Sequence, residues 1–199
     1  MTFLSAICAR ASTLGARVAF GEAGDERVLA AAMRLKREGV ATPVLVVDEA
    51  GSAEARMHGL ECVDPSGDPR ASGLAAALLA ARAKHGMTAG EAAKLSRDPL
   101  AFAIWLVKTG AVDAAVGGAV RTTRELMHFA LWLIGPAEGV KTVSSAFYMV
   151  VPPFRAGLAA NSRPLSVDVP GAPPGAEVLT FTDCSVVPNP TAARLADIA

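Results

Sequence analysis

The chain has 199 residues, of which 52% are hydrophobic, so it can bury a core sufficient for one large or two small domains. Lysine plus arginine equals aspartate plus glutamate at 19 each, which excludes a general electrostatic attraction to nucleic acid or to an anionic membrane surface. The three cysteines, Cys8, Cys62 and Cys184, are far apart and odd in number, which favours reduced thiols over a disulfide framework or a zinc site.

The N-terminal segment is predicted to form a helix that closes near Gly15. It carries no basic residues ahead of its apolar ones, so it does not have the pattern of a secretory signal peptide, and we expect a cytoplasmic protein. The longest uncharged apolar runs, at 126–137 and 142–154, contain Gly-Pro or Pro-Pro and are shorter than the roughly 18 to 20 residues of a membrane span. No membrane-spanning helix is predicted.

Strand and helix signals then alternate, which predicts an α/β fold with a mainly parallel, doubly wound sheet flanked by helices. In chain order we predict a strand at 17–20, a helix at 26–38 that Gly39 ends, a strand at 42–48, a helix at 49–58 and a weaker strand at 61–65. The strand at 42–48 is apolar and β-branched throughout, as expected when both faces of a sheet are covered.

Three helices follow one another between residues 71 and 109. The first is predicted at 73–85 and ends at Gly86, the second begins with a capping box of Thr88 and Glu91, and the third begins at Asp98-Pro99. Three consecutive helices indicate an insertion on one face of the sheet, or at its edge.

The alternation resumes with a strand at 113–118, an amphipathic helix and a strand at 142–151. A passage rich in proline and glycine, 152–175, precedes a last strand at 177–182 and a helix that begins at Asn189-Pro190. We therefore predict an N-terminal α/β domain at 1–151, a loop or hinge at 152–176 and the start of a second α/β subdomain at 177–199. Because the last helical pattern reaches Ala199 without a C-cap signal, we expect this second domain to be truncated.

The stretch V-G-G-A-V-R-T-T-R-E, residues 116–125, has the features of an anion site. Gly117 and Gly118 leave the backbone bare between a strand and a helix, where free N–H groups and the helix dipole favour an anion. Thr122 and Glu125 also have the capping-box spacing, so the threonine is equally explained as a helix cap. Arg121 and Arg124 oppose the helix dipole unless an anion lies close by.

Several linked segments resemble the phosphate acetyltransferase and phosphate butyryltransferase family. The family order is a strand, G-A-x-H-[ST]-[ST], a helix ending I-I-G-T-x-x-G and a strand starting S-S, and residues 112–152 follow this order. Residues 180–199, T-F-T-D-C-S-V-V-P-N-P-T-A-A-R-L-A-D-I-A, are similar to its D-C-A-V-N-P-x-P-T-A-x-x-L-A-x-I-A, and V-A-F-G-E-A-G-D-E-R to its first strand and helix. The likeness covers essentially the whole chain.

The resemblance implies reversible transfer of an acetyl or butyryl group between coenzyme A and inorganic phosphate. It implies coenzyme A as a substrate, no bound cofactor or metal, a fold similar to isocitrate and isopropylmalate dehydrogenases, and a homodimer or other self-association. The family's catalytic base and serine-arginine pair belong to segments beyond Ala199, so no catalytic residue is assigned and activity of this chain alone is doubtful.

The substrate-binding residues that the resemblance suggests are Arg82, Gly117, Gly118, Arg121, Thr122, Thr123, His128, Ser144 and Ser145. Two positions depart from the family pattern: His128 stands where the family has arginine, and Arg121 where it has histidine. A purely structural role stays open for several of these residues. His128 could be an ordinary partly buried histidine, Arg82 a solvated arginine at a helix end, and Ser144 and Ser145 buried hydroxyls bonded to the backbone. Asp183 could face the cleft or cap a turn, and is left outside the set.

A rival hypothesis is a degenerate, non-catalytic domain that binds coenzyme A or a phosphate metabolite. A nicotinamide dehydrogenase is disfavoured because no G-x-G-x-x-G follows the first strand, where E-A-G-D-E stands instead.

Overall fold

A computed structural model of the chain describes residues 3–47, 55–151, 177–182, 187 and 189–198. The chain divides into two compact units, Ala11–Gly135 and Met1–Arg10 with Pro136–Ala199. Each unit is described by itself. The domain boundaries at 151 and 176 stay predictions.

The larger unit contains a parallel four-stranded sheet. Its strands are β1 (Arg17–Phe20), β2 (Thr42–Val46), β3 (Glu61–Val63) and β4 (Ala114–Val116), arranged in the order β3-β2-β1-β4. β1 pairs in parallel with both β2 and β4. The predicted parallel α/β sheet is therefore confirmed for this unit.

Side chains of β2 alternate between two separate hydrophobic clusters. Val44 and Val46 belong to one cluster, and Leu45 and Val47 to the other, and all four are at most 3% exposed. Because successive side chains of a strand point to opposite faces, the two clusters are the two covered faces of the sheet. A strand that is covered on both faces has apolar residues throughout, without alternating polar ones, as β2 does.

The helices of this unit divide between the two faces. α2 (Glu26–Arg37) buries Leu29 and Ala32 with the cluster that contains Leu45. On the other face lie α3 (Arg70–Arg82), a 3-10 turn (Ala83–His85), α4 (Ala89–Leu95), α5 (Pro99–Lys108) and α6 (Thr123–Leu133). The three consecutive helices are thus an insertion on one face, with the almost entirely apolar α5 at its centre. α1 (Phe3–Ser12) precedes the sheet.

Helix bounds follow the capping signals closely. Asp25, Thr88, Asp98 and Thr122 are the N-cap residues of α2, α4, α5 and α6, and Gly39, Gly86 and Gly110 have positive φ after helices. The helix predicted at 73–85 begins instead at Arg70, and its last three residues form the 3-10 turn. The overlooked signal is Asp68-Pro69, where Asp68 Oδ1 accepts from Arg70 N at 2.9 Å.

The smaller unit contains a two-stranded antiparallel ribbon. β5 (Ala146–Val151) pairs with β6 (Glu177–Thr182), with Phe147 opposite Phe181, and α7 (Ala192–Ile198) follows. The predicted start of this strand at 142 was wrong, because the strand begins at Ala146, after both serines. It pairs antiparallel with β6 and does not belong to the parallel sheet. The Pro/Gly-rich passage lies outside the described residues, as does most of the helix predicted at 49–58, of which 55–57 are helical.

Candidate functional site

The sheet has a topological switch point between β1 and β4. From β1 the chain proceeds outwards through β2 and β3, and then returns to place β4 on the opposite side of β1. In open α/β sheets, ligands bind beyond the carboxyl ends of the strands at such a point. The segments that leave these ends are 21–25 after β1 and 117–122 after β4, and the second contains four of the nine predicted site residues.

Four consecutive backbone N–H groups of the second segment, those of residues 118–121, donate to one carboxylate, that of Glu22. Gly118 N and Ala119 N donate to Oε2 at 2.6 and 2.7 Å, and Val120 N donates to Oε1 at 3.1 Å. Arg121 N also donates to Oε1. The predicted anion-binding backbone therefore exists, but in this structure its ligand is the protein's own side chain.

Glu22 is buried, with 9% of its surface exposed. Burial by itself raises the pKa of a carboxyl group, but the four N–H donors outweigh this and hold the pKa of Glu22 below its ordinary value. The group is consequently a stable carboxylate at neutral pH.

The two glycines at the end of β4 serve different purposes. A Cβ on Gly117 would lie 2.6 Å from Leu100 Cδ1 and 3.3 Å from Leu126 Cδ1, so its missing side chain makes room for the core. Gly118 has a φ of +104°, and a Cβ there would meet nothing within 4 Å. A ligand role for both glycines stays a prediction: Leu100 and Leu126 take the space at Gly117, and the backbone N–H of Gly118 donates to Glu22.

The hydroxyl of Thr122 is part of a complete capping box. Its Oγ1 accepts from Glu125 N at 3.3 Å and donates to Glu125 Oε2 at 2.9 Å, and Thr122 N donates to the same carboxylate oxygen. The predicted cap is confirmed, and a ligand role for Thr122 stays a prediction. Thr123 and Arg124 are exposed at the first turn of α6.

Arg121 pairs with two carboxylates of the protein. Its guanidinium lies 3.1 Å from Asp98 Oδ2 and 2.9 Å from Glu125 Oε1. Partial burial disfavours the charged form, but the two carboxylates raise the pKa of Arg121. The anion that offsets this cation at the helix N-terminus is thus supplied from within the chain.

Arg82 and His128 meet at the other end of α6, around Trp132. The Arg82 guanidinium lies over the Trp132 ring at 4.8 Å from its centroid, and the His128 ring stacks on Trp132 at 5.3 Å with an interplanar angle of 13°. Phe129 contacts the same indole edge-on. Cation–π contact fixes the direction of a long and otherwise mobile arginine side chain.

Arg82 and Trp132 also line an open cleft of about 400 Å³. Its other lining residues are His85, Gly86, Met87, Glu91, Lys94 and Leu95. Arg82 and Lys94 supply two positive charges, while the carboxylate of Glu91 is engaged by the capping box of Thr88. Such a cleft suits a ligand that combines phosphate groups with an apolar or aromatic part.

The predicted residues of this unit therefore form two groups. Gly117, Gly118, Arg121, Thr122 and Thr123 lie at the N-terminus of α6, and Arg82 and His128 near its C-terminal half. Ten residues separate Thr122 from Trp132, which is about 15 Å at the rise of an α-helix. Inorganic phosphate cannot reach both groups at once.

The remaining candidates belong to the smaller unit. Ser144 is exposed and Ser145 is half-buried, directly before β5. Asp183 lies outside the described residues.

A sequence profile of the family described as "Phosphate acetyl/butaryl transferase" matches residues 2–199. The chain belongs to this family.

Individual relatives agree with the family assignment. The chain is 34% identical to a phosphate acetyltransferase of Clostridium acetobutylicum over 92% of its own length and 52% of the relative's. It is 37% identical to one of Paracoccus denitrificans, over 95% and 52% of the two lengths. A phosphotransacetylase structure from Streptococcus pyogenes superposes with a TM-score of 0.76 at 24% identity, covering 98% of this chain and 55% of that one. The chain spans about half the length of the relatives it matches.

The described residues can be examined for a metal site and for a membrane-spanning helix. They contain no group of three or more His, Cys, Asp or Glu side chains that could hold a metal ion. Within the same ranges, every helix is too short or too polar to traverse a bilayer.

Sequence reasoning missed three residues of this phosphate acetyl/butyryl transferase family member: Glu22, Lys94 and Trp132. Glu22 had a signal, because an acidic residue directly after a buried strand needs partners when it is itself buried. Trp132 and Lys94 carried no local signal. Trp132 contacts Arg82, 50 residues away, and Lys94 lines the same cleft as Arg82, 12 residues away.

Proposed function

We propose that this chain takes part in the reversible transfer of an acetyl or butyryl group between coenzyme A and inorganic phosphate. The observation that carries the proposal is the family match over residues 2–199. Arg82, which the family resemblance suggests as a substrate-binding residue, lines an open cleft. Coenzyme A is a substrate in this proposal, and neither a bound cofactor nor a metal ion is required.

The two ends of α6 suggest how the substrates are divided. Arg82 and Lys94 in the cleft hold phosphate groups of coenzyme A, with His128 and Trp132 beside them. Gly118, Thr122 and Thr123 lie about 15 Å away along the helix, towards the switch point, where the reacting end of a long ligand would lie. Gly117 and Arg121 shape this junction, and Ser144 and Ser145 stay candidates for contact with the acyl group or phosphate.

The described residues offer no reason to assign a general base or oxyanion donors to this chain. Both are needed for acyl transfer, and removing one such group from other enzymes costs about a hundredfold or more. We propose that they belong to the family segments that this chain does not match. The complete arrangement would have the two α/β domains of isocitrate and isopropylmalate dehydrogenases, in a cytoplasmic protein.

The test is thiol release from acetyl- and butyryl-coenzyme A by the chain alone, with and without phosphate. We expect a rate near background together with weak, saturable binding of coenzyme A in calorimetry. A full-length phosphate acetyltransferase serves as the positive control. Phosphate-dependent turnover by the chain alone would show that His128, Ser144 or another residue present carries the chemistry; absence of coenzyme A binding would contradict the proposal.

A further inference from the structure

We propose that Glu22 is a positioning residue for the binding junction. Its carboxylate occupies the backbone nest at residues 118–121 and fixes the start of α6, which presents Thr122 and Thr123. The ligand part of this inference rests on the proposed function, whereas the conformational part does not.

The first argument is the completeness of the contact. Four consecutive backbone N–H groups, of residues 118–121, converge on one carboxylate, two on each oxygen. Consecutive N–H groups that point into one concavity form an anion-binding nest. The positive φ of Gly118 belongs to this geometry, because it turns the chain at the first of the four donors.

The second argument is a further contact with the same loop, made by Arg27 to a backbone carbonyl. The Arg27 guanidinium donates to the carbonyl of Ala119 at 2.8 Å. Arg27 is itself held by both carboxylate oxygens of Asp25, the N-cap of α2, at 2.9 Å each. Residues of one short segment, 22–27, therefore form hydrogen bonds with both the N–H groups and a carbonyl of a loop more than 90 positions later.

The third argument is electrostatic. A buried carboxylate in the nest leaves no backbone donor there for a substrate phosphate, and its charge repels a second anion from the nest. A phosphate at this end of α6 must then be held by groups outside the nest, such as the exposed Thr123. Glu22 thus sets where an anion can bind as well as the shape of the loop.

The experiment compares Glu22→Ala with Glu26→Ala. Glu26 is exposed in the first turn of α2, so its replacement removes the same charge four positions away without touching the nest. Backbone amide hydrogen exchange of residues 118–121 should accelerate at least about tenfold in Glu22→Ala and stay unchanged in Glu26→Ala. Affinity for coenzyme A should fall about tenfold in the first variant only.

A chemical rescue separates positioning from a general loss of stability. Formate should enter the vacated nest in Glu22→Ala and shift the amide signals of residues 118–121 back towards their wild-type positions, with saturation. Should Glu22→Ala fail to fold, Glu22→Gln retains one acceptor oxygen, and faster exchange confined to the amides of 118–121 is expected. Unchanged amides, exchange that accelerates uniformly over the whole unit, or no saturable effect of formate would overturn the inference.

The two proposals fail separately. If the wild-type chain does not bind coenzyme A, the proposed function is contradicted. The exchange and formate measurements still decide whether Glu22 fixes the loop.

Discussion

At the scale of single residues, Glu22 makes the stability of the larger unit depend on pH. The pKa of its carboxyl group is lowered in the folded state, because four N–H donors outweigh the effect of burial. A group with a depressed folded pKa stabilises the fold at a pH above its unfolded pKa. That contribution is lost as the pH falls through the folded pKa.

We expect Glu22→Gln to lower the free energy of unfolding by about 1 to 3 kcal/mol at pH 7, since buried donors lose a charged acceptor. The difference from wild type should shrink as the pH falls from the ordinary pKa of a glutamate, about 4.3, through the lowered folded pKa of Glu22, because the charged acceptor is then lost. Urea unfolding at several pH values measures this. Glu26→Gln is the control, and a difference that stays constant from pH 7 to pH 3 would contradict the argument.

Arg82 is the residue on which the ligand assignment depends most directly. Replacing Arg82 with alanine should weaken coenzyme A binding by roughly 1 to 3 kcal/mol, the range for a charge-assisted contact. Calorimetry on the purified chain checks this, with Arg37→Ala as the control because the Arg37 side chain on α2 is 72% exposed. Equal affinities of wild type and Arg82→Ala for coenzyme A would show that Arg82 is a solvated surface residue without a role in binding.

At the scale of elements, the junction depends on the close approach of strand ends to α5. A Cβ on Gly21 would lie 2.7 Å from the backbone Cα of Leu100, and one on Gly117 would lie 2.6 Å from the Leu100 side chain. Leu100 is 1% exposed, so it has little room to move aside. The start of α5 is therefore packed directly against the ends of β1 and β4.

Gly117→Ala should consequently destabilise the protein by about 1 to 3 kcal/mol, as overpacking of a well-filled core does. Gly90→Ala is the matched control, because Gly90 lies in α4 and a Cβ there meets nothing within 4 Å. That variant should gain a few tenths to about 1 kcal/mol from helix propensity. Thermal and urea unfolding measure both, and a Gly117→Ala variant as stable as wild type would refute the packing argument.

At the scale of the whole molecule, the β5–β6 ribbon exposes large apolar side chains. Phe147 is 67% exposed, and Phe181, opposite to it, is 52% exposed. Contiguous apolar surface of this kind is typical of an interface or of an aggregation site. We propose that the isolated chain self-associates, as the family resemblance implies, with a second copy covering this surface.

Phe147→Glu should shift the isolated chain towards the monomer, because it places a charge in that contact. Size-exclusion chromatography with light scattering over a range of concentrations measures the change. Leu14→Glu is the control, since Leu14 is 72% exposed but lies after α1, outside the ribbon. A wild-type chain that stays monomeric at every concentration would rule out self-association.

What the sequence determined by itself was local. The caps at Thr88, Asp98 and Thr122 and the stop at Gly39 were predictable, because each is satisfied within a few residues of its own position. The covered parallel strand β2 was predictable for a similar reason, since an unbroken apolar run requires cover on both faces.

Tertiary structure alone decided the partners across long distances. Glu22 meets N–H groups 96 to 99 residues away, and no local pattern says which buried acid fills which nest. Arg82 meets Trp132 because α3 packs beside α6, and β5 pairs with β6 although strand alternation indicates a strand without indicating its neighbour. The sequence placed bare backbone and Arg121 at the start of α6; only packing supplied the carboxylates of Glu22 and Asp98 that hold them there.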